Sequence, residues 1–185
     1  MRIISGKHKG KKLFSPKTKQ IRPTSDRAKE VIFSTLNSIL VKKKKLFNDF
    51  IALDAFCGSG SLGIEALSRG VKKAYFIDNS KESINLVKKN CESLGFGNEA
   101  SIMKINLLHY KQHKLKANLF FLDPPYNKFD VDTIFQILID SKMISDKCLG
   151  VIELPKEKEK KNIKSFTKIN TKIVSDSCFL FLEKS

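Results

Sequence analysis

The chain has 185 residues, 41% of them apolar, and a formal net charge of +16. That is enough for one buried core and excludes a disordered chain. No run of 18 apolar residues is present, which excludes a membrane-spanning helix, and the opening Met1 to Gly10 lacks the apolar stretch of a secretory signal.

Residues 1–50 carry 14 Lys/Arg against 3 Asp/Glu, whereas residues 51–150 carry 13 against 11 and residues 151–185 carry 8 against 5. A lysine-biased composition alone would spread the excess evenly. Its concentration in the first part of the chain is the footprint of a polyanion-binding segment. The four cysteines (Cys57, Cys91, Cys148, Cys178) form no Cys-x-x-Cys pair and the three His lie apart from them. Reduced thiols in a cytoplasmic protein are expected, with neither zinc nor disulfides.

In chain order, Arg2-Ile3-Ile4 and Lys12-Leu13-Phe14 flank Gly6…Gly10 and predict a small β-hairpin with a basic tip. After Arg22-Pro23-Thr24-Ser25-Asp26-Arg27, Thr24 or Ser25 can cap a helix, and Asp26 suits its positive end. Ala28, Val31, Ile32, Leu36, Ile39 and Leu40 recur at helical spacing over residues 25–40. Lys42 to Lys45 reads as a solvated linker. Strands are then expected at 50–54, 74–78, 100–105, 119–123 and 149–154, with helices at 62–69, 81–94 and 131–141. The third helix is expected to turn Ile84, Val87, Lys88 and Cys91 to one side. A closing hairpin is expected at 169–174 and 178–183. Strand–helix alternation predicts an α/β fold, a Rossmann-like parallel sheet with helices on both faces and an antiparallel edge strand. The division is a basic hairpin and helix over 1–45 and a catalytic domain over 46–185.

Asp54-Ala55-Phe56-Cys57-Gly58-Ser59-Gly60-Ser61-Leu62-Gly63 follows the first central strand and opens a helix. It contains Gly-x-Gly-x-x-Gly, and Asp78 follows Gly58 by 20 residues. That pattern fits a dinucleotide, with Asp78 on the ribose diol. It fits S-adenosylmethionine equally well. That cofactor has the same adenosine but a cationic tail, which Asp54 would attract while repelling a pyrophosphate. The bland alternative is a tight turn that binds nothing.

Asp123-Pro124-Pro125-Tyr126, directly after Leu119-Phe120-Phe121-Leu122, distinguishes the ligands. Proline cannot continue a central strand, so the sheet stops at Asp123. Hydride transfer has no use for such a clamp, but methyl transfer to an aromatic amine does. The exocyclic nitrogen is a poor nucleophile because its lone pair is delocalised. The Asp123 carboxylate and Pro124 carbonyl can accept its two N–H groups and orient the lone pair, while Tyr126 stacks on the base. The bland reading here is a Pro-Pro turn with a surface tyrosine.

The glycine loop, Asp78 and Asp123-Pro124-Pro125-Tyr126 together resemble class I S-adenosylmethionine-dependent N-methyltransferases. Met1-Arg2-Ile3-Ile4-Ser5-Gly6, Lys9-Gly10-Lys11-Lys12-Leu13, Arg22 to Arg27 and Leu53 to Gly70 look more narrowly like the RsmD family. The resemblance implies the seven-stranded methyltransferase sheet and transfer of a methyl group to the exocyclic N2 of a guanine in small-subunit (16S) ribosomal RNA. It implies S-adenosyl-L-methionine as cofactor, S-adenosyl-L-homocysteine as product, and no metal. Cofactor contacts would come from Asp54, Phe56, Gly58, Ser59, Gly60, Asp78 and Asn106, and catalysis from Asp123, Pro124 and Tyr126. RNA contacts would come from Lys7, Lys9, Lys11, Lys12, Arg22, Thr24 and Arg27, on a monomer whose partner is ribosomal RNA or the small ribosomal subunit, with no membrane. Two alternatives stay open: a DNA adenine/cytosine amino-methyltransferase, and a non-catalytic RNA-binding module on the same fold.

Overall fold

The computed structural model describes residues 1–15, 24–109, 114–125, 130–158 and 163–184. Seven strands form one sheet in the order β3-β2-β1-β4-β5-β7-β6: β1 (Ile51–Ala55), β2 (Lys73–Asp78), β3 (Ala100–Lys104), β4 (Ala117–Leu122), β5 (Ile144–Pro155), β6 (Thr167–Val174) and β7 (Ser177–Lys184). The first five run parallel, and β7 lies antiparallel between β5 and β6. The antiparallel strand therefore stands one place in from the edge, and β6 forms the edge itself. The reason is burial. Cys178 to Leu182 of β7 is fully buried, while Lys168, Lys172 and Ile173 of β6 are exposed. An edge rimmed with lysines also resists pairing with another chain.

Side chains alternate across each strand, and this splits the core in two. Ala52, Phe76, Phe121, Val151 and Phe181 face one cluster with α1 (Asp26–Lys42), α2 (Ser61–Ser68) and α3 (Lys81–Leu94). Leu53, Ile77, Phe120, Ile152 and Leu182 face the other, with α4 (Val131–Asp140). Helices thus cover both faces, as the parallel sheet demands. Most boundaries agree with the sequence reading to within two residues. The exception is β5, which begins five residues earlier, because Met143 and Ile144 are buried beside Ala117.

Ser25 is the cap of α1, its side chain accepting from the Ala28 N–H. On α3 the buried side holds Ser83, Val87, Asn90, Cys91 and Leu94. Ile84 is half-buried and Lys88 exposed, so Asn90 occupies a core position that the apolar periodicity does not reveal. The four cysteines are buried and none forms a disulfide.

The expected N-terminal hairpin is short. One antiparallel bridge, Arg2 with Lys12, lies outside any named strand, and the Ile3 N–H donates to the Lys11 carbonyl (2.9 Å), the Gly10 N–H to the Ile3 carbonyl (2.9 Å) and the Leu13 N–H to the Met1 carbonyl (3.2 Å). It is also anchored to α2. Glu65 is completely buried in that otherwise apolar helix, and its carboxylate accepts from the Ile4 N–H (2.7 Å), the Ser5 N–H (3.0 Å) and Arg69 Nε (2.8 Å). The Lys7 and His8 N–H groups donate to the Ser68 carbonyl and hydroxyl. Gly6 has φ +84°, and a Cβ there would lie 1.9 Å from the Ser68 carbonyl oxygen, so only glycine fits against the end of α2. Ile3 and Leu13 complete the seal by joining the first core cluster.

Candidate active site

The site forms where β2, β1 and β4 end side by side. Ala55 pairs with Ile77 on one flank and with Leu122 on the other. Asp78 and Asp123, each one residue further on, therefore stand either side of the β1 terminus, with Asp54 between them. The loop that leaves β1 is strained. Phe56, a non-glycine residue, has φ 60°, in the left-handed region, and Gly58 and Gly60 follow at φ 52° and 75°. Such conformations are unfavourable by about 1–3 kcal/mol at a non-glycine residue and cluster at functional sites. Here the Cys57 N–H holds the loop to the Ile77 carbonyl at 3.0 Å.

Asp54 is 4% exposed, and its Oδ2 accepts from the Gly63 N–H at 2.8 Å, near the start of α2. Gly63 must be glycine, since a Cβ would lie 2.4 Å from the Phe76 ring and 3.1 Å from the Asp54 Cβ. Burial pushes the Asp54 carboxyl up to about 8; the Gly63 N–H opposes the rise, and the charges of Asp123 and Asp78 add to it. Asp78 is half-buried. Its Oδ2 accepts from the Gly58 N–H (3.0 Å) and its Oδ1 from the Ser80 N–H (2.8 Å). A carboxylate has about four acceptor sites, so a ribose diol can still be held. Three converging acids, one deeply desolvated, repel one another and favour a cation between them. This donor and acceptor set fits S-adenosylmethionine, with its positive sulfonium and ammonium, and disfavours a pyrophosphate.

The remaining expected residues fall as follows. Ser59 and Gly60 are buried in the loop, with the Ser59 hydroxyl 3.6 Å from Met1 Sδ. Asn106 is exposed two residues beyond β3, and its Oδ1 accepts from the Leu108 N–H at 3.2 Å. Asp123 is half-buried, Pro124 buried and Pro125 exposed. Lys7, Lys9, Lys11, Lys12 and Arg27 are exposed and Thr24 half-buried. Tyr126 and Arg22 lie outside the described residues. Among the described residues, no group of three or more His, Cys, Asp or Glu is placed to hold a metal ion, and no helix is long and apolar enough to cross a membrane.

Asn90 is the residue that sequence reasoning missed. It is completely buried, its Oδ1 accepts from the Phe14 N–H (2.7 Å), and its Nδ2 donates to the carbonyls of Phe14 and Ser59, both at 3.2 Å. It therefore ties the N-terminal segment to the glycine loop. Glu65 did carry a signal, a lone acid in the apolar run Ser61 to Ser68; Asn90, flanked by Lys89 and Cys91, carried none.

The strand order, the acid-rimmed loop and the Asp-Pro-Pro strand end are together those of a class I S-adenosylmethionine-dependent methyltransferase. The Escherichia coli yhhF structure superposes with a TM-score of 0.83 at 25% identity, covering 100% of this chain and 98% of that one. The magnesium protoporphyrin IX methyltransferase of Synechocystis, solved with bound S-adenosylmethionine, shares the fold alone (TM-score 0.63, 18% identity, 85% of this chain and 79% of that one). Within this class the chain belongs to the family described as conserved hypothetical protein 95, whose model matches residues 1–183. It is similar to two proteins named ribosomal RNA small subunit methyltransferase D. One is from Haemophilus influenzae, 32% identical over 162 residues (85% of this chain, 80% of the relative), and one from Escherichia coli, 33% identical over 154 residues (83% and 74%). The resemblance to the RsmD family is thereby borne out.

Proposed function

We propose that this protein methylates the exocyclic N2 of a guanine in small-subunit ribosomal RNA. The observation that carries the reading is the convergence of Asp54, Asp78 and Asp123 at three adjacent strand ends, with Asp123 leading into Pro124 and Pro125. The ribosomal RNA substrate is supported by the two relatives named for that activity.

S-adenosylmethionine, when bound, supplies a methyl group on a positively charged sulfur. Asp78 would hold its ribose and the loop Phe56 to Gly60 its tail, with Asn106 near the adenine; Asp54, which holds a proton in the cofactor-free site, would be ionised by the cationic end. The Asp123 carboxylate and the Pro124 carbonyl accept the two N–H groups of the guanine amine. That frees the nitrogen lone pair from the ring and stabilises the positive charge that grows on N2. Proline fixes the direction of the carbonyl and removes a competing donor. Tyr126 stacks on the base, which must be unpaired or flipped to arrive. Rate enhancement comes chiefly from positioning. Lys7, Lys9, Lys11, Lys12, Arg22, Thr24 and Arg27 grip the RNA backbone without reading sequence.

Asp123→Ala should abolish tritiated methyl transfer to ribosomal RNA while leaving cofactor binding by calorimetry largely intact. Residual transfer near the wild-type rate would sink the lone-pair mechanism. Mass spectrometry of ribosomal RNA from cells with and without the protein identifies the nucleotide. A methyl group missing from adenine or cytosine instead of guanine would overturn the N2 assignment.

A further inference from the structure

We propose that Phe14, beside the glycine loop with Lys89 over its ring, is a stacking platform for a nucleobase of single-stranded RNA neighbouring the target guanine. The proposal rests on the RNA reading above and extends it to a base-binding subsite. Among the described residues Phe14 is the one exposed Phe or Tyr, at 42%; the other exposed large apolar side chains are aliphatic. Its backbone is anything but loose. The buried Asn90 side chain bonds both its N–H and its carbonyl and also holds the Ser59 carbonyl, so the ring has a fixed register against the cofactor loop. A pre-placed ring loses little freedom when a base stacks on it, which favours binding.

The surroundings select nucleic acid over an apolar protein partner. Leu13 is buried while Lys12 and Phe14 on either side of it are exposed, so a cation accompanies the ring outward. Lys89 Nζ lies 3.8 Å from the ring centroid, a cation–π contact. Lys7, Lys9 and Lys11 are exposed on the same segment. An aromatic ring with an ammonium over one face and lysines along its segment has the composition of a single-strand nucleic-acid site: the opposite face takes the base and the lysines take the phosphates. If the ring merely covered the Lys89 stem, it would be indifferent to RNA.

The chain contains no Trp, so Phe14→Trp places a single tryptophan at this position, excitable apart from the three Tyr. Titration with a single-stranded fragment of small-subunit ribosomal RNA should quench its emission, and the same strand bearing an abasic site at the stacked nucleotide should not. In parallel, Phe14→Leu should raise the KM for RNA about five-fold or more, with the S-adenosylmethionine Kd, which reports folding, unmoved. Equal responses to intact and abasic strands throughout an abasic scan, or a wild-type KM in Phe14→Leu, overturn the platform. So does a fluorescence change that requires ribosomal protein and ignores RNA. Failure of the wild-type protein to methylate any ribosomal RNA fragment or particle is a separate result and strikes the functional reading itself.

Discussion

Asp54 concentrates the electrostatic character of the site. It has one hydrogen bond, from Gly63, and is almost wholly removed from water, with two further acids nearby. Its carboxyl titrates near 8 in the folded chain, against about 3.9 unfolded. The folded protein thus keeps a proton that the unfolded chain releases. Through linkage, this group makes stability fall as pH rises from about 4 to about 8, and it adds no slope outside that window. Urea midpoints of the cofactor-free protein should decline across the window more steeply in wild type than in Asp54→Asn. Parallel profiles for the two would refute the assignment. The nearby thiols obey the same physics. Burial raises Cys57 well above its ordinary range and Cys91 to about 12, which leaves both protonated and unreactive at neutral pH.

At the scale of the element, the N-terminal segment is held both by pairing with itself and by α2. Glu65 gathers two backbone N–H groups and Arg69, and Arg69 in turn covers the Phe33 ring at 4.7 Å. Lys29 of α1, completely buried, donates to the Arg2 carbonyl and pairs with Asp26 at 3.4 Å. These polar ties join residues 1–15, α1 and α2 into one support for the glycine loop, because α2 begins in that loop. Glu65→Ala would leave three partly buried donors without the carboxylate they share. A decrease of about 3–5 kcal/mol in unfolding free energy is expected, together with weaker hydrogen-exchange protection at Ile3 and Gly10. If the cost is under about 0.5 kcal/mol, the clamp is not structural.

At the scale of the molecule, part of the charge excess of residues 1–50 is displayed on one anchored segment. Lys7, Lys9, Lys11 and Lys12 are exposed on a loop whose backbone is fixed to α2. Replacing all four by Gln should lower the slope of log K for RNA against log salt by about 0.7–0.9 for each phosphate that is no longer neutralised. An unchanged slope would remove this segment from the interface. The α/β class, the element order, the glycine loop and the three acids were all legible in the amino-acid sequence. Each rests on a local signal: apolar period, glycine placement or the strand-stopping prolines. Three features emerged from long-range packing alone: the insertion of β7 between β5 and β6, the seating of the N-terminal loop on α2, and the Asn90 tie between Phe14 and the glycine loop. The last of these joins residues 76 apart in the chain. At such separation a buried Asn or Glu satisfies distant backbone groups and leaves no periodic trace of its partner.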